Sequence, residues 1–364
     1  MKRPTISDVA RLCGLSKTTV SVILNETPAA SRVPAETHQR VKQAADQLGY
    51  RPSWRARALT QRLTHTIGVL YAPPMPLVVR GNYEGIMAGI NETLTTHRYH
   101  VMFVPLGEDP GEWGDMLMDQ RMDGCLVLSR LYDALSTLLQ RSHMPVTLVN
   151  ADTELPLPVV IADDFQGSRD LTKHLLDLGH RRVTFFLGDQ PPHYSVEGRI
   201  GGYQQAMKDA GLDPYASVVR GSAADLVATV ARMRDGGESG GDRLTAVITY
   251  THHAAISMLR LLWEAGLSVP KDLSVATFSN SYPVAEVIPP LTVMALPTED
   301  MGRTAAEMVL EQIQTSGAAP PRRMVLKETL IVRKSTAPPG KSLAHAPLTR
   351  TNESEIPPSR ETDR

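Results

Sequence analysis

Seven short apolar runs, "TIGVLYA", "YHVMFVPL", "DGCLVLS", "PVTLVN", "RVTFFLGD", "LTAVITY" and "LSVATFS", punctuate the chain between Thr66 and Ser279, each followed by a stretch with helical periodicity. Runs this short and this rich in Val, Ile, Leu and Thr read as strands. Strands that alternate with helices bury their apolar surface best as parallel sheets with helices against both faces. The expectation is an α/β core over residues 65–334. Ligands of such sheets sit beyond the carboxyl ends of the strands, which marks Ser129, Asn150, Thr251, His252 and Ser279 as cleft candidates, because each ends or follows a strand run.

The segment before this core has a different character. Residues 1–65 hold eleven Lys and Arg against four acids, a balance of +7; the whole chain carries -1, so the remainder carries -8. A basic head on an acidic body is the charge layout of a phosphate-binding module, although a merely solvated basic face would look the same. Spacing carries the reading further. "TISDVARLCGLSKTTVSVILN" predicts a helix that starts at Thr5 with Asp8 completing a capping box, a break at Gly14, and a second helix capped by Ser16. Ile6, Val9, Ala10 and Cys13 share one face of the first helix, and Val20, Ile23 and Leu24 one face of the second, so the pair can bury a small common core. Lys17, Thr18, Ser21, Val22 and Asn25 are left on the outer face. Short polar side chains near a helix N-terminus let the backbone approach a phosphate or a base edge. A third helix is predicted over residues 35–48, stopped by Gly49.

These residues resemble a known family. "ISDVARLCGLSKTTVSVILN", then "VPAETHQRVKQAADQLGYRPS", then "ARALT" ahead of "THTIGVL" are similar to the DNA-binding head and hinge of lactose-repressor-type bacterial transcription regulators. The match resumes in family order as "VVIADDFQGSRDLTKHLLDLGHRRVTFFLGD", "RIGGYQQAMKDAGL", "GLSVPKDLSVATF" and "PPLTVMALPTEDMGRTAAEMVL". The resemblance implies an all-α helix-turn-helix head at 1–49, a hinge helix or linker at 50–64, and a periplasmic-binding-protein-like core of two doubly wound parallel-sheet subdomains at 65–334. It further implies a regulator, commonly a repressor, of a carbohydrate or related metabolic gene cluster. Such a protein binds a pseudo-palindromic operator as a homodimer and responds to a small-molecule effector. The alternative is a small-molecule binding protein without specific operator recognition.

Residue roles follow from the same resemblance. The second helix would lie in the major groove, with Lys17, Thr18 and Val22 facing base edges and Ser16, Thr19, Ser21 and Asn25 holding phosphates, Thr5 joining the DNA-binding set. Position 22 is commonly arginine in the family; the valine here offers only apolar contact, so the operator is expected to differ from the usual site. The loop "ETPAASRVP" is a few residues longer than the family's and has Pro34 where a capping serine is usual. "RPSWRARAL" is basic and too short to hold a helix by itself; the resemblance makes it a hinge helix that folds on DNA, with Arg55 in the interface and Leu59 wedged between base pairs of the minor groove.

In the cleft, Arg199 of "VEGRIGGY" matches a family arginine that grips the effector, whereas Asn150, Thr251 with His252, and Ser279 stand where the family often has carboxylates or an Asn-Asp pair. Losing carboxylates while keeping Arg199 leads to the expectation of an anionic effector, such as a sugar acid or phosphorylated sugar. Effector contacts are thus assigned to Ser129, Asn150, Arg199, Thr251 and Ser279.

Other features exclude function classes. Cys13 and Cys125 lie far apart in apolar surroundings and read as buried thiols. His252 and His253 are adjacent, which would point their rings apart, and no carboxylate is spaced to complete a metal site with them. The glycines of "GRIGGY" do not fit a dinucleotide fingerprint, and Met116, Met118 and Met122 suggest core or interface filling. No nucleophile, acid and base set emerges, so neither an enzyme nor a cofactor is expected. No apolar run approaches the roughly 20 residues of a membrane span, and "MKRPTISDVARLCG" lacks the apolar core of an export signal, so the expected compartment is the cytoplasm, at the nucleoid. Residues 335–364, rich in Pro, Ser, Thr and charge without leucine heptads, are expected to be a disordered tail, leaving the protein a dimer.

Overall fold

The structure is a computed structural model that describes residues 4–25, 28–51, 63–73, 82–107, 109–189, 193–235, 243–315 and 320–339. The head contains α1 (Ile6–Cys13), α2 (Lys17–Leu24) and α3 (Ala35–Leu48). The Asp8 carboxylate accepts the Thr5 backbone N–H at 2.9 Å and the Thr5 hydroxyl at 2.7 Å, and Gly14 ends α1 in the left-handed conformation at φ 64°. Ser16 Oγ accepts the Thr19 backbone N–H at 3.0 Å and so caps α2. Val9, Val20, Ile23 and Val41 are fully buried where the three helices meet, with Tyr50 packed against them from just beyond the expected head boundary. Pro34 is the N-cap residue of α3 and supplies no side-chain bond; instead a short turn over Pro28–Arg32 precedes the helix, and His38 Nε2 contacts the Ala30 carbonyl at 2.9 Å.

The core begins at Thr64, whose N–H and hydroxyl donate to Asp123 at 2.6 and 2.8 Å. The first half runs β1 (Thr66–Tyr71), α4 (Asn82–Thr96), β2 (His100–Pro105), α5 (Pro110–Met118), β3 (Gly124–Val127), α6 (Asp133–Ser142), β4 (Val146–Val149) and β5 (Val159–Ala162). The second runs α7 (Asp164–Asp177), β6 (Val183–Phe186), α8 (Ser195–Asp209), β7 (Ser217–Val219), α9 (Ala223–Asp235), β8 (Ala246–Thr249), α10 (His252–Glu264), β9 (Ser274–Phe278) and β10 (Thr292–Ala295). The chain closes with α11 (Thr298–Gln314), β11 (Arg323–Leu326) and β12 (Thr329–Ile331).

Two six-stranded sheets result, in the orders β11-β5-β4-β3-β1-β2 and β12-β10-β9-β8-β6-β7. Leaving aside the last strand of each, both sheets repeat one doubly wound order whose direction reverses beside the first strand, at β1/β3 and at β6/β8. Among the described residues all pairings are parallel, as expected, except that of β10 with β12, which is antiparallel. Strands β3, β4, β5, β6 and β8 are buried at every position because helices cover both faces.

The chain passes between the sheets three times: from β5 to α7, from β10 to α11, and from β11 to β12. Each crossing helix packs on the first helix of the half it enters, α7 on α8 and α11 on α4. The contacts are close enough to require glycine: a Cβ on Gly202 would lie 2.1 Å from the Phe165 carbonyl, and one on Gly302 would lie 2.0 Å from the Ile86 carbonyl. "GRIGGY" therefore sits inside α8 and serves helix packing.

Two expectations need correction. Ser335 is fully buried, its Oγ donates to the Val275 carbonyl at 2.5 Å, and the Ala337 carbonyl accepts from Ser274 at 3.1 Å; the second sheet therefore anchors the chain beyond 334, and 340–364 lie outside the described residues. The rings of His252 and His253 do not point apart but stack at 4.0 Å between centroids, at the start of α10. Met118 is 43% exposed, whereas Met122 is buried in the core and Met116 packs against it. Both cysteines are free and buried.

Candidate functional site

Two sites are assembled. In the head, Thr5, Ser16, Lys17 and Thr18 are exposed, and Thr19, Ser21, Val22 and Asn25 are half-buried along α2, which runs from its N-cap Ser16 to its C-cap Asn25. Part of the hydrogen-bonding capacity is spent locally: Ser16 Oγ lies 2.8 Å from Thr19 Oγ1, and Asn25 Nδ2 donates to Ser21 Oγ at 3.1 Å. Arg55 and Leu59 lie outside the described residues.

The second site lies where the carboxyl ends of both sheets face each other. Asn150 follows β4 at φ 52°, a left-handed conformation that asparagine adopts readily. It links the halves twice: its carbonyl accepts from His193 Nε2 at 3.1 Å, and its Oδ1 accepts from the Tyr194 hydroxyl at 3.1 Å. His193 Nδ1 contacts Ser195 Oγ at 2.8 Å, and that hydroxyl lies 2.8 Å from the Tyr250 hydroxyl. One ring nitrogen facing a carbonyl and the other a hydroxyl suits a neutral imidazole, and burial, then the Arg199 charge, hold the His193 pKa below its ordinary value.

Arg199 is 5% exposed. Its Nε donates to Asp164 Oδ1 at 2.7 Å and one terminal nitrogen donates to the Tyr250 carbonyl at 3.0 Å. Its guanidinium lies 4.1 Å from the centre of the Phe278 ring. Burial alone would lower the Arg199 pKa, but the neighbouring Asp164 and Glu328 outweigh it and raise it. Arg199 thus has a buried counter-ion and a second carboxyl close by, which removes the ground for an anionic effector.

The predicted effector residues fare differently. Asn150, Arg199 and Thr251 belong to or adjoin this network, but Thr251 Oγ1 is engaged in capping α10, accepting the Ala254 N–H at 3.2 Å. Ser279 is 3% exposed, at φ 77°, and lines a depression of about 500 Å³ with Glu84, Ser281, Thr298, Glu299 and Asp300, between α4, the start of α11 and the ends of β9 and β10. Ser129 stands apart, half-buried, with its hydroxyl on the Arg130 carbonyl at 3.2 Å. His252 is buried and its pKa is pushed down to about 4 by that burial, so it stays uncharged at neutral pH. Sequence reasoning missed Asp164, His193, Tyr194, Tyr250 and Glu328; only Asp164, in the paired acids "DD" after a strand run, and Tyr250, at the end of one, carried a local signal.

Among the described residues no group of three or more His, Cys, Asp or Glu could hold a metal, and no helix is long and apolar enough to cross a membrane.

Comparison with known proteins adds to the geometry. Residues 5–53 match "Bacterial regulatory proteins, lacI family", and residues 172–336 match "Periplasmic binding protein-like domain". The HTH-type transcriptional regulator CelR of Thermobifida fusca is 30% identical over 92% of this chain and 98% of its own length. The HTH-type transcriptional repressor PurR of Vibrio campbellii (strain ATCC BAA-1116) is 32% identical over 85% and 92%. Among solved structures, a CelR–cellobiose complex aligns with TM-score 0.64 at 28% identity, over 92% of this chain and 100% of that one. A lac repressor dimer bound to operator and the anti-inducer ONPF aligns with TM-score 0.75 at 24% identity over the same shares, a likeness of fold.

Proposed function

The chain belongs to the lacI family of bacterial regulatory proteins, and from that premise we propose that it binds a pseudo-palindromic operator as a homodimer, commonly to repress, with an affinity set by a small molecule in the cleft between its sheets. Its relatives are named transcriptional regulators and repressors, and it is a transcriptional regulator with an effector-binding domain, not an enzyme. The observation that carries the operator reading is the outer surface of α2, where Lys17 and Thr18 stand exposed beside the Ser16 cap. In this reading Lys17, Thr18 and Val22 meet base edges, and Thr5, Ser16, Thr19, Ser21 and Asn25 set the phosphate register. Arg55 and Leu59 act in the hinge. We assign 1–50 to the head, 51–63 to the hinge and 64–339 to the effector-binding and dimerising core, acting in the cytoplasm at the nucleoid.

For the effector we infer a neutral, hydroxyl-rich small molecule of the saccharide class, controlling a carbohydrate or related gene cluster. Three observations support this: the charge of Arg199 is met by Asp164, the depression beside Ser279 mixes carboxylates with serine and threonine hydroxyls, and a relative has been solved with cellobiose. Carboxylates and hydroxyls both pair with sugar hydroxyls, and clustered carboxylates repel an anion. Genomic fragments selected by the protein at moderate salt and then sequenced test the operator reading. A recovered pseudo-palindrome beside a sugar-handling gene cluster is the expected outcome, with affinity falling steeply as salt rises because phosphate contacts release counterions. Fragments without a shared motif would favour the alternative of a small-molecule binding protein. Titration with neutral disaccharides and with sugar phosphates tests the effector class, and binding of the phosphates alone would overturn it.

A further inference from the structure

The first and third passages between the sheets meet at one point. The Asp163 backbone N–H, at the start of α7, donates to the Leu326 carbonyl, at the end of β11, at 2.9 Å. Asp164 follows on the first passage and Glu328 lies on the third, between β11 and β12. Each is 4% exposed. Gly167, one turn into α7, makes the room that Glu328 occupies, since a Cβ there would lie 2.1 Å from Glu328 Oε2. Among the described residues Asp164 Oδ2 and both carboxyl oxygens of Glu328 have no hydrogen-bond partner, and Arg199 is the one buried Lys or Arg.

Two buried carboxylates against one guanidinium would leave a net negative charge and three unpaired oxygens out of contact with bulk solvent. Such an arrangement is strongly unfavourable in general, and a single proton relieves most of it. Placed on Glu328, a proton turns one carboxyl into a donor toward Asp164 Oδ2 and leaves the Arg199–Asp164 pair electrically balanced. The other groups facing the site do not supply an alternative charge. Asp163, from the cap of α7, adds a further negative charge; His193 is held toward its neutral form by burial and by Arg199; Tyr194, before α8, and Tyr250, after β8, both have raised pKa values, burial being the largest cause. Lys327, next to Glu328 in sequence, is exposed. The remaining close neighbour, Met294 on β10, is uncharged.

We propose that Asp164 and Glu328 hold one proton between them at the junction of the first and third passages, a proton-binding site that links the stability of this junction to pH. When the proton leaves, two anions compete for Arg199 where α7, α8 and the link between β11 and β12 meet. Any effect on operator affinity rests on the regulator reading above; the proton does not. Burial, partly offset by Arg199, raises the Glu328 pKa to about 8, which sets the range over which the device acts.

Infrared difference spectra of the full chain between pH 6 and pH 9 test it. A protonated-carboxyl band present at low pH is expected to vanish with a midpoint within about one unit of 8. Glu328→Gln is expected to lack the band. Asp164→Asn, which leaves Glu328 as the counter-ion of Arg199, is expected to lack the band already at pH 7, and it decides the matter should the first variant fail to fold. A band that persists in either variant, or that is absent from the wild type at pH 6, overturns the proposal. Because no DNA enters these measurements, a failed operator search leaves their outcome untouched.

Discussion

Replacing Arg199 with methionine is the perturbation whose cost the structure defines most closely. The guanidinium is 5% exposed, holds Asp164 at 2.7 Å and the Tyr250 carbonyl at 3.0 Å, and covers the Phe278 ring at 4.1 Å. Two unit charges at such a separation attract by about 4 kcal/mol at an effective dielectric near 20. Methionine keeps most of the packing on Phe278 but leaves a buried carboxylate without a cation, a change that costs about 3–5 kcal/mol where it has been made in other proteins. At about 2–4 °C per kcal/mol, the shift for domains of 150–250 residues and an upper bound for a larger cooperative unit, the variant is expected to melt lower by about 6–20 °C at most. Asp164→Asn breaks the same ion pair from the other side, yet Glu328, 4% exposed and without a hydrogen-bond partner, remains beside Arg199 to take the negative role. Its cost is expected at about 1–3 kcal/mol. Urea denaturation of both single variants and the double variant at pH 7 measures the asymmetry. Equal costs for the two single variants, or a cost below 1 kcal/mol for Arg199→Met, would refute the reasoning, since either means that Glu328 is no substitute counter-ion or that the cluster is not desolvated.

Glu328 itself predicts a pH effect of definite sign. Its pKa rises from 4.5 to about 8 on folding, so the folded state keeps a proton that the unfolded state gives up, and stability is lost as pH climbs through that interval, at about 1.4 kcal/mol per unit. Glu328→Gln is expected to match the wild type near pH 4.5 and to exceed it by about 3 kcal/mol at pH 7, read by urea denaturation; parallel stability curves would exclude the effect. In the head, Ser16→Ala removes the acceptor for the Thr19 N–H and is expected to cost about 1 kcal/mol of head stability, seen as increased amide exchange in α2 before any change in the core. Gly202→Val forces a side chain against the Phe165 carbonyl and is expected to destabilise the core by about 1–3 kcal/mol or more, whereas the same change at exposed Gly107, where a Cβ meets nothing within 4 Å, is expected to stay within about 0.5 kcal/mol. Lys17→Ala, if Lys17 meets base edges, is expected to relax sequence preference in a fragment selection with little change in the salt slope, and a slope falling by about one would move Lys17 to the phosphate group.

Of the seven strands read from apolar runs, all but β2 are buried along nearly their whole length, whereas β5 and β10, similarly buried, were not among those runs. "AVIT" within "LTAVITY" and "SVATF" are buried end to end because helices cover them above and below, and such runs of Ala, Val, Ile and Phe broken only by Ser and Thr stand out in the sequence. The helices of the head were legible for another reason: Thr5, Asp8, Gly14, Ser16 and Gly49 each sit at the position where a helix end needs them, so local chemistry and tertiary packing agree. Strands β7, β11 and β12 were not singled out. They are three or four residues long, stand at sheet edges and are exposed or half-buried, so neither a buried run nor a clean alternation marks them. The last two are also the third passage between the sheets, and "LKETL" there reads as a polar turn because two residues suffice to step from one sheet to the other.

The cleft was legible by position and not by charge, and the difference is physical. That residues 129, 150, 251 and 279 follow strands is a local property, and the strand pattern alone places them at the carboxyl ends. The state of Arg199 depends on residues 164, 250, 278 and 328, drawn from α7, the ends of β8 and β9 and the link between β11 and β12. No spacing rule connects them. Read as a lone cation left behind by lost carboxylates, Arg199 asks for an anionic ligand; read with its buried partners, it is a charge already met by Asp164. Glu328 adds a second carboxyl from a segment whose polarity in the sequence suggested only a turn. Of the two residues in this link Lys327 turns to solvent and Glu328 turns inward, where the absence of a Cβ at Gly167 gives its side chain a place to go. The passage that joins the two sheets thus brings this carboxyl to the start of α7, so the electrostatics of the cleft floor follow from the topology of the crossings more directly than from any motif around the ligand.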